Sequence, residues 1–305
     1  MMQINLSSGN LMADKRAEYA RMLGESGDFQ AAAELMQQAL QLVPDWTAGW
    51  FQAGGYLEKA GERDQAMRAF DLVLKASPAD RFGARLKLAH LRGEAIDAPQ
   101  TAYVEALFDD YAAKFDKSLV EKLGYRVPAL LSEMIERQMP DHPFKLCVDL
   151  GCGTGLMAQA LGNKADQYIG IDLSAAMLAK AQDKELYERL IKADLIDGMA
   201  QAGPADLIIA ADVFMYLGSL EPVIEAAAAH LSAEGLFAFS VELSTAGRDC
   251  ELRPSMRHAH NAAYVRRCLA ASGFETIEVK SAVIRMDGDS PIEGLLTVAR
   301  KSANA

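Results

Sequence analysis

At 305 residues, half of them hydrophobic and 24% charged, the chain has room for a full-sized core and more than one domain. A formal net charge of −11 argues against a nucleic-acid substrate, because affinity for phosphate backbones rests on Lys and Arg displacing counterions. Cys147, Cys152, Cys250 and Cys268 form no CxxC pair, no secretory leader is evident, and no apolar run reaches the ~18 residues of a membrane span, so a cytoplasmic protein with free thiols and no membrane partner is expected.

The first third carries an internal period. Pro44 and Pro78 lie 34 residues apart, as do Gly27 and Gly61, Ala32 and Ala66, and Leu40 and Leu74. The units, 13–46 and 47–80, each predict a helix, a glycine turn, a second helix and a proline. The second unit, with Trp50, Gly54, Leu57, Gly61, Ala66, Phe70 and Pro78, resembles the tetratricopeptide repeat. The first departs from that pattern, with Arg16 at the Trp position and Met36 at the Phe position. A further helix over 81–94 suits a cap for the last apolar face, and 95–100 suits a linker. Such an array implies a protein or peptide partner or self-association, or else a module that only stabilises its neighbour.

Residues 104–139 predict one or two amphipathic helices. Strand-like runs then alternate with helices: 144–150, 167–173, 189–195, 205–214 and 235–243, followed by 274–285 and 294–301 as an antiparallel hairpin. Apolar strands alternating with helices imply a mostly parallel sheet covered on both faces. In such sheets ligands sit beyond the carboxyl ends of the strands, where strand order reverses. Those ends carry Asp149, Asp172, Asp194, Asp212 and Glu242.

The stretch DLGCGTGL places Gly151, Gly153 and Gly155 between the first strand and its helix. By itself it fits either an ordinary tight turn or a cofactor loop. A dinucleotide loop wants G-x-G-x-x-G, and the third glycine's position holds Leu156, which speaks against a nicotinamide cofactor. An acid before the first glycine suits a ligand carrying an ammonium and a sulfonium.

This acid and glycine pattern, an acid closing the second strand and seven strands ending in a hairpin resemble the class I S-adenosylmethionine-dependent methyltransferases over residues ~103–301. With the repeats in front, the whole chain is similar to a bacterial group of predicted methyltransferases carrying tetratricopeptide repeats. The resemblance implies an α/β, seven-stranded, doubly wound Rossmann-like sheet behind an all-α repeat module, with a repeat domain at 11–95, a helical lid or connector at 103–140 and a catalytic domain at 141–302. It also implies S-adenosylmethionine as cofactor, S-adenosylhomocysteine as product and no metal.

Carried onto this sequence, the pattern implies that Asp149 and the backbone of Gly151 and Gly153 hold the amino-acid end of the cofactor, with Gly155 completing the turn and Cys152 within reach. Asp172, 17 residues past Gly155, would accept both ribose hydroxyls, since a carboxylate matches a vicinal diol. Leu173 and Met177 would pack on the adenine, Asp194 would accept from its amino group, and the Leu195 amide would donate to a ring nitrogen. Ala211 and Asp212 would line the pocket floor. FDDYAAKFD resembles the lid segment of small-molecule methyltransferases, with Tyr111 and Phe115 as lid residues or, equally, as core aromatics.

The acceptor is less legible. AADVFMY lacks the Pro-Pro-Tyr type sequence of enzymes acting on exocyclic or amide nitrogens. Substrate-side candidates are Tyr216 and Glu242, and, in the polar stretch 244–264, Arg253, His258 and His260, with Arg257 nearby. A histidine there would serve as a base and the arginines would hold an anion; the alternative is a solvated loop in which Asn261 caps the next helix. Transfer of methyl to oxygen or nitrogen of a small acidic molecule or of a protein residue is expected, against an alternative in which the repeats make an adaptor and the sheet only senses the cofactor or is inactive.

Overall fold

The computed structural model describes residues 7–115, 124–140, 143–288 and 290–302. They divide into two compact units, one built chiefly from residues up to 96 with 102–106 and 254–256, the other from 97–101, 107–253 and 257 onward.

The first unit is helical: α1 (Leu11–Glu25), α2 (Phe29–Leu42), α3 (Thr47–Lys59), α4 (Arg63–Ala76) and α5 (Ala84–Arg92), each packed on the next. The sequence period is also a conformational one. Gly27 and Gly61 are left-handed, at φ 87° and 84°, with open space where a Cβ would stand, so glycine is needed there for the backbone alone. The residues that open α2 and α4, Asp28 and Glu62, share φ/ψ of −84°/73° and −81°/62°. Val43 and Ser77, which close them, repeat at −138°/78° and −133°/81°.

Met36 and Phe70, one period apart, are both fully buried. The Phe70 ring lies 2.7 Å from where a Cβ on Gly54 would stand, which is why a glycine occupies the middle of α3 despite its helix cost of about 1 kcal/mol. Trp46, which the repeat pattern does not mark, covers Gly49 in the same way. Buried Asp80 accepts from the amides of Ala84 and Arg85 at 2.7 and 2.9 Å and so starts α5.

The second unit is a sheet between helices. Its strands are β1 (Phe144–Leu150), β2 (Ala165–Asp172), β3 (Arg189–Lys192), β4 (Ala205–Ala210), β5 (Leu231–Leu243), β6 (Cys250–Leu252), β7 (His258–His260), β8 (Phe274–Asp287) and β9 (Ser290–Lys301). The order β3-β2-β1-β4-β5 is parallel; β9 joins β5 antiparallel, and β8 closes the hairpin beyond β9. Alternate residues of β1 enter opposite cores. Val148 and Leu150 join Phe237 and Phe239, while Cys147 joins Leu131 and Met134 of α7 (Val127–Gln138). Both faces are covered, and strand order reverses at β1 and β4.

Among the described residues nine strands stand where seven are expected. The two additional ones, β6 and β7, lie inside the stretch 244–264 and run against each other, with β7 paired to Glu242 and Leu243 at the tip of β5. Three residues each, in a polar context, are too short for a period-2 pattern to register. The third and fourth strands end earlier than the apolar runs suggest, because Asp194 starts a helix and Asp212 turns into a left-handed conformation. No helix of the described residues is long and apolar enough to cross a membrane.

Candidate active site

The glycine loop leaves β1 through three left-handed glycines, Gly151, Gly153 and Gly155, at φ 61°, 54° and 90°, and α8 (Leu156–Leu161) begins at once. A Cβ on Gly151 would lie 2.6 Å from Val213, whereas one on Gly153 would meet only the Phe115 ring at 3.6 Å. The loop is stitched to the end of β2. Cys152 donates its amide to the Ile171 carbonyl at 3.0 Å, and Gly153 donates to Oδ2 of Asp172 at 2.9 Å. The other Asp172 oxygen accepts from the Ser174 amide at 2.8 Å. Burial raises the Asp172 pKa and these backbone bonds oppose it. Ser174 caps α9 (Ala175–Gln182), as its sequence position suggests, and donates its hydroxyl to Asp109 at 2.6 Å. Leu173 is half-buried beside it, and Met177 is wholly buried.

Asp149, 1% exposed, accepts from the Tyr187 hydroxyl at 2.6 Å, and burial pushes its carboxyl up to about 7. Tyr187 rests against Gly155 and Gly170, both of which would crowd it if they carried side chains. A cleft of about 310 Å³, open solvent included, is walled by Asp149, residues 151–154, Leu156 and Met157, with Phe115, Tyr125 and Ala211 completing it. Asp194 caps α10 (Leu195–Ala202), Oδ1 accepting from the amides of Ile196 and Asp197 at 3.0 Å. Tyr111, at the end of α6 (Thr101–Tyr111), stands edge-on to Phe115, which meets Phe108, which meets Tyr216. The remainder of the lid segment, 116–123, lies outside the described residues.

A charged cluster occupies the carboxyl ends of β4 and β5. Arg285 of β8, 2% exposed, donates to Asp212 at 2.6 Å and to Glu242. Arg253 donates to the other Glu242 oxygen at 2.9 Å and to the Leu243 carbonyl at 2.8 Å. Asp212, at φ 61°, is held further by its amide donating to Ser240. Arg257 stands against the Tyr216 hydroxyl, whose pKa burial raises.

His258 and His260 are buried in β7. His258 Nδ1 is 3.3 Å from the Cys250 sulfur, and His260 Nε2 donates to the Gly218 carbonyl while its ring stacks on Tyr264. Burial lowers both to about 4, so both are neutral at pH 7. Asn261 caps α11 (Ala262–Ala271), its side chain accepting from Ala263 at 2.8 Å.

A family model described as a methyltransferase domain matches residues 148–237, the glycine loop through β5. The malonyl-[acyl-carrier protein] O-methyltransferase of Geobacter sulfurreducens is 30% identical over 195 residues, 56% of this chain and 67% of that protein. The chain belongs to the class I S-adenosylmethionine-dependent methyltransferases. Among other relatives of this methyltransferase, the trans-aconitate 2-methyltransferase of Deinococcus radiodurans is 43% identical over 54 residues, 17% of this chain and 21% of that protein. The 1,6-didemethyltoxoflavin-N1-methyltransferase of Burkholderia thailandensis, solved with bound 1,6-didemethyltoxoflavin and S-adenosylhomocysteine, shares the fold at a TM-score of 0.52 and 18% identity, over 68% of this chain and 94% of that one. S-adenosylmethionine is the cofactor of this methyltransferase.

The fold thus gathers Asp149, Cys152, Gly151, Gly153 and Ala211 around one cleft of the methyltransferase, while His258 and His260 are packed into a ribbon at the tip of β5. Tyr187 and Arg285 escape sequence reasoning. Tyr187 is a lone aromatic in the polar run DKELYER, and Arg285 ends what reads as an ordinary apolar strand. An arginine inside VIRM, between apolar neighbours, is the one signal available for the second.

Proposed function

We propose that this methyltransferase transfers methyl from S-adenosylmethionine to an oxygen or nitrogen of a small acidic molecule, with Asp149 and the backbone of Gly151 and Gly153 holding the amino-acid end of the cofactor. The observation that carries this is the buried Asp149 carboxylate at the wall of a cleft made by left-handed glycines. A carboxylate whose pKa burial has raised is stabilised by an incoming ammonium, so the site fits a cationic ligand. Both Asp172 oxygens already accept an amide and each retains acceptor capacity for a ribose hydroxyl. Leu173 offers an apolar bed for the adenine, Met177 being wholly buried and so able only to support it from inside the core. Asp194 and the Leu195 amide offer its polar contacts, Ala211 and Asp212 the floor, and Tyr111 with Phe115 a cover.

Bound there, the cofactor supplies a methyl group on an already activated sulfonium, and the chain's task is to position the acceptor and exclude water. The acidic acceptor is supported by the arginine cluster at the end of β5 and by the names of two relatives, which act on malonyl and trans-aconitate groups. For residues 11–95 we infer a tetratricopeptide-repeat module, supported by dihedral angles that recur after 34 residues, serving a protein partner or self-association. Residues 103–140 are assigned as connector and lid, and 141–302 as the catalytic domain.

Calorimetry with S-adenosylmethionine, S-adenosylhomocysteine and NAD tests the cofactor site. The first two bind and the third does not; binding of NAD alone overturns the assignment.

A further inference from the structure

The turn 211–216 joins two places. At one end Ala211 lines the cleft and Val213 lies against Gly151; at the other Tyr216 meets the Phe108 ring and Arg257. Phe108 in turn touches Phe115, which lines the cleft, so an aromatic wall runs from the cofactor loop to the arginines.

The three guanidiniums there are not equivalent. Arg285 holds two buried carboxylates and Arg253 one, each at hydrogen-bonding distance. Arg257 faces a neutral tyrosine hydroxyl, and its carboxylate partner among the described residues, Asp287, is 3.8 Å away with its side chain 58% exposed. An exposed pair at that distance contributes little. Asp212 and Glu242 attract Arg257 through space, but among the three guanidiniums it is the one with no carboxylate at hydrogen-bonding distance among the described residues. A planar fork at the far end of that aromatic wall matches a carboxylate.

The titratable groups described around it are poorly suited to deprotonating an alcohol or ammonium at neutral pH. Asp212 is taken by Arg285, Tyr216 and Tyr125 are held protonated by burial, and the two histidines are buried in β7, each with one ring nitrogen engaged, by Cys250 and by the Gly218 carbonyl. A nucleophile that arrives already ionised needs no such base.

We propose that the acceptor is a carboxylic acid, free or carried on a protein, whose carboxylate is held by Arg257 beside Tyr216 and is itself methylated. This rests on the methyltransferase reading above and narrows its acceptor. A carboxylate oxygen lone pair forms the new O–CH3 bond, the S–CH3 bond breaks, and its electron pair stays on sulfur as the thioether of S-adenosylhomocysteine; no proton moves. The ester formed is neutral, so its attraction to Arg257 falls and release follows.

The test uses the full chain, methyl-labelled S-adenosylmethionine, and two acceptor pools from a cell lysate, a small-molecule extract and a desalted protein fraction. Label enters one pool and is released as methanol by mild alkali, as an ester requires. Arg257→Gln raises the half-saturating concentration of that pool on the order of 10- to 100-fold, the loss of a charge-assisted hydrogen bond. Calorimetric affinity for the cofactor stays unchanged in that variant, and Arg257→Lys, which keeps the charge without the fork, recovers part of the loss and carries the comparison if the glutamine variant melts early. Alkali-resistant label, or unchanged acceptor saturation in both variants, overturns the carboxylate assignment and leaves methyl transfer standing. Absence of label in both pools despite bound cofactor overturns the broader reading and this one with it.

Discussion

The hydroxyl of Tyr187 donates to Oδ2 of Asp149 across 2.6 Å, joining the turn before β3 to the end of β1. That bond favours the charged carboxylate and orients it at the cleft wall. Tyr187→Phe is expected to weaken binding of S-adenosylmethionine about 10-fold, the usual effect of losing a hydrogen bond to a charged group. Calorimetry at pH 7 checks this, and an unchanged affinity removes Tyr187 from the site.

The raised Asp149 pKa, about 7 against an ordinary 3.8, makes cofactor binding pH-dependent. Below about 7 the free protein holds a proton there that the incoming ammonium displaces, so affinity rises from pH 5 to pH 8 and a proton is released. The folded chain binds more protons than the unfolded one between pH 4 and 7. The contribution of this carboxyl to stability therefore falls across that window and is constant above it. Calorimetry in buffers of different ionisation enthalpy reads the proton; Asp149→Asn flattens the pH dependence.

Asp172 has two duties, and one experiment separates them. Its Oδ2 accepts from the Gly153 amide, so Asp172→Ala is expected to speed hydrogen exchange of that amide in the free protein. The same variant loses cofactor affinity by more than about 10-fold through the ribose contact. Faster exchange with unchanged affinity assigns the carboxylate to the loop alone.

Gly151 meets two separate obstacles to substitution, its φ of 61° and the Val213 side chain 2.6 Å from any Cβ. Gly151→Ala is expected to destabilise the protein by about 1–3 kcal/mol in urea unfolding, combining left-handed strain with overpacking. Adding Val213→Ala removes the crowding and leaves the strain, so part of the loss returns.

Arg285 is 2% exposed between Asp212 and Glu242, and removing it leaves two carboxylates buried with one cation fewer. Arg285→Met is expected to cost about 3–5 kcal/mol of stability, measured by denaturant unfolding. A cost below 1 kcal/mol means that water reaches the pair.

Much of this fold was legible because its signals are local. The glycines at 27 and 61, the caps Ser174 and Asn261, and the turns after β1 and β2 each state a backbone conformation within a few residues. The 34-residue period and the alternating strands follow from side-chain repeats that need no partner to be read. Where signals were short, the sequence misled: His258 and His260 sit in a polar stretch that suggests a solvated loop, yet both are buried in a three-residue strand.

The amino-acid sequence by itself determined a helical array of period 34, an α/β sheet and an acid-flanked glycine turn that selects a sulfonium cofactor over a dinucleotide. Only the tertiary structure decided that Asp149 is held by Tyr187, and that Arg285 closes on acids 43 and 73 residues away. It alone decided that Arg257 meets the Tyr216 hydroxyl. Local periodicity encodes which face a residue lies on, whereas the meeting of distant residues depends on strand order and on burial, which turns an ordinary tyrosine or arginine into a needed partner for a desolvated charge.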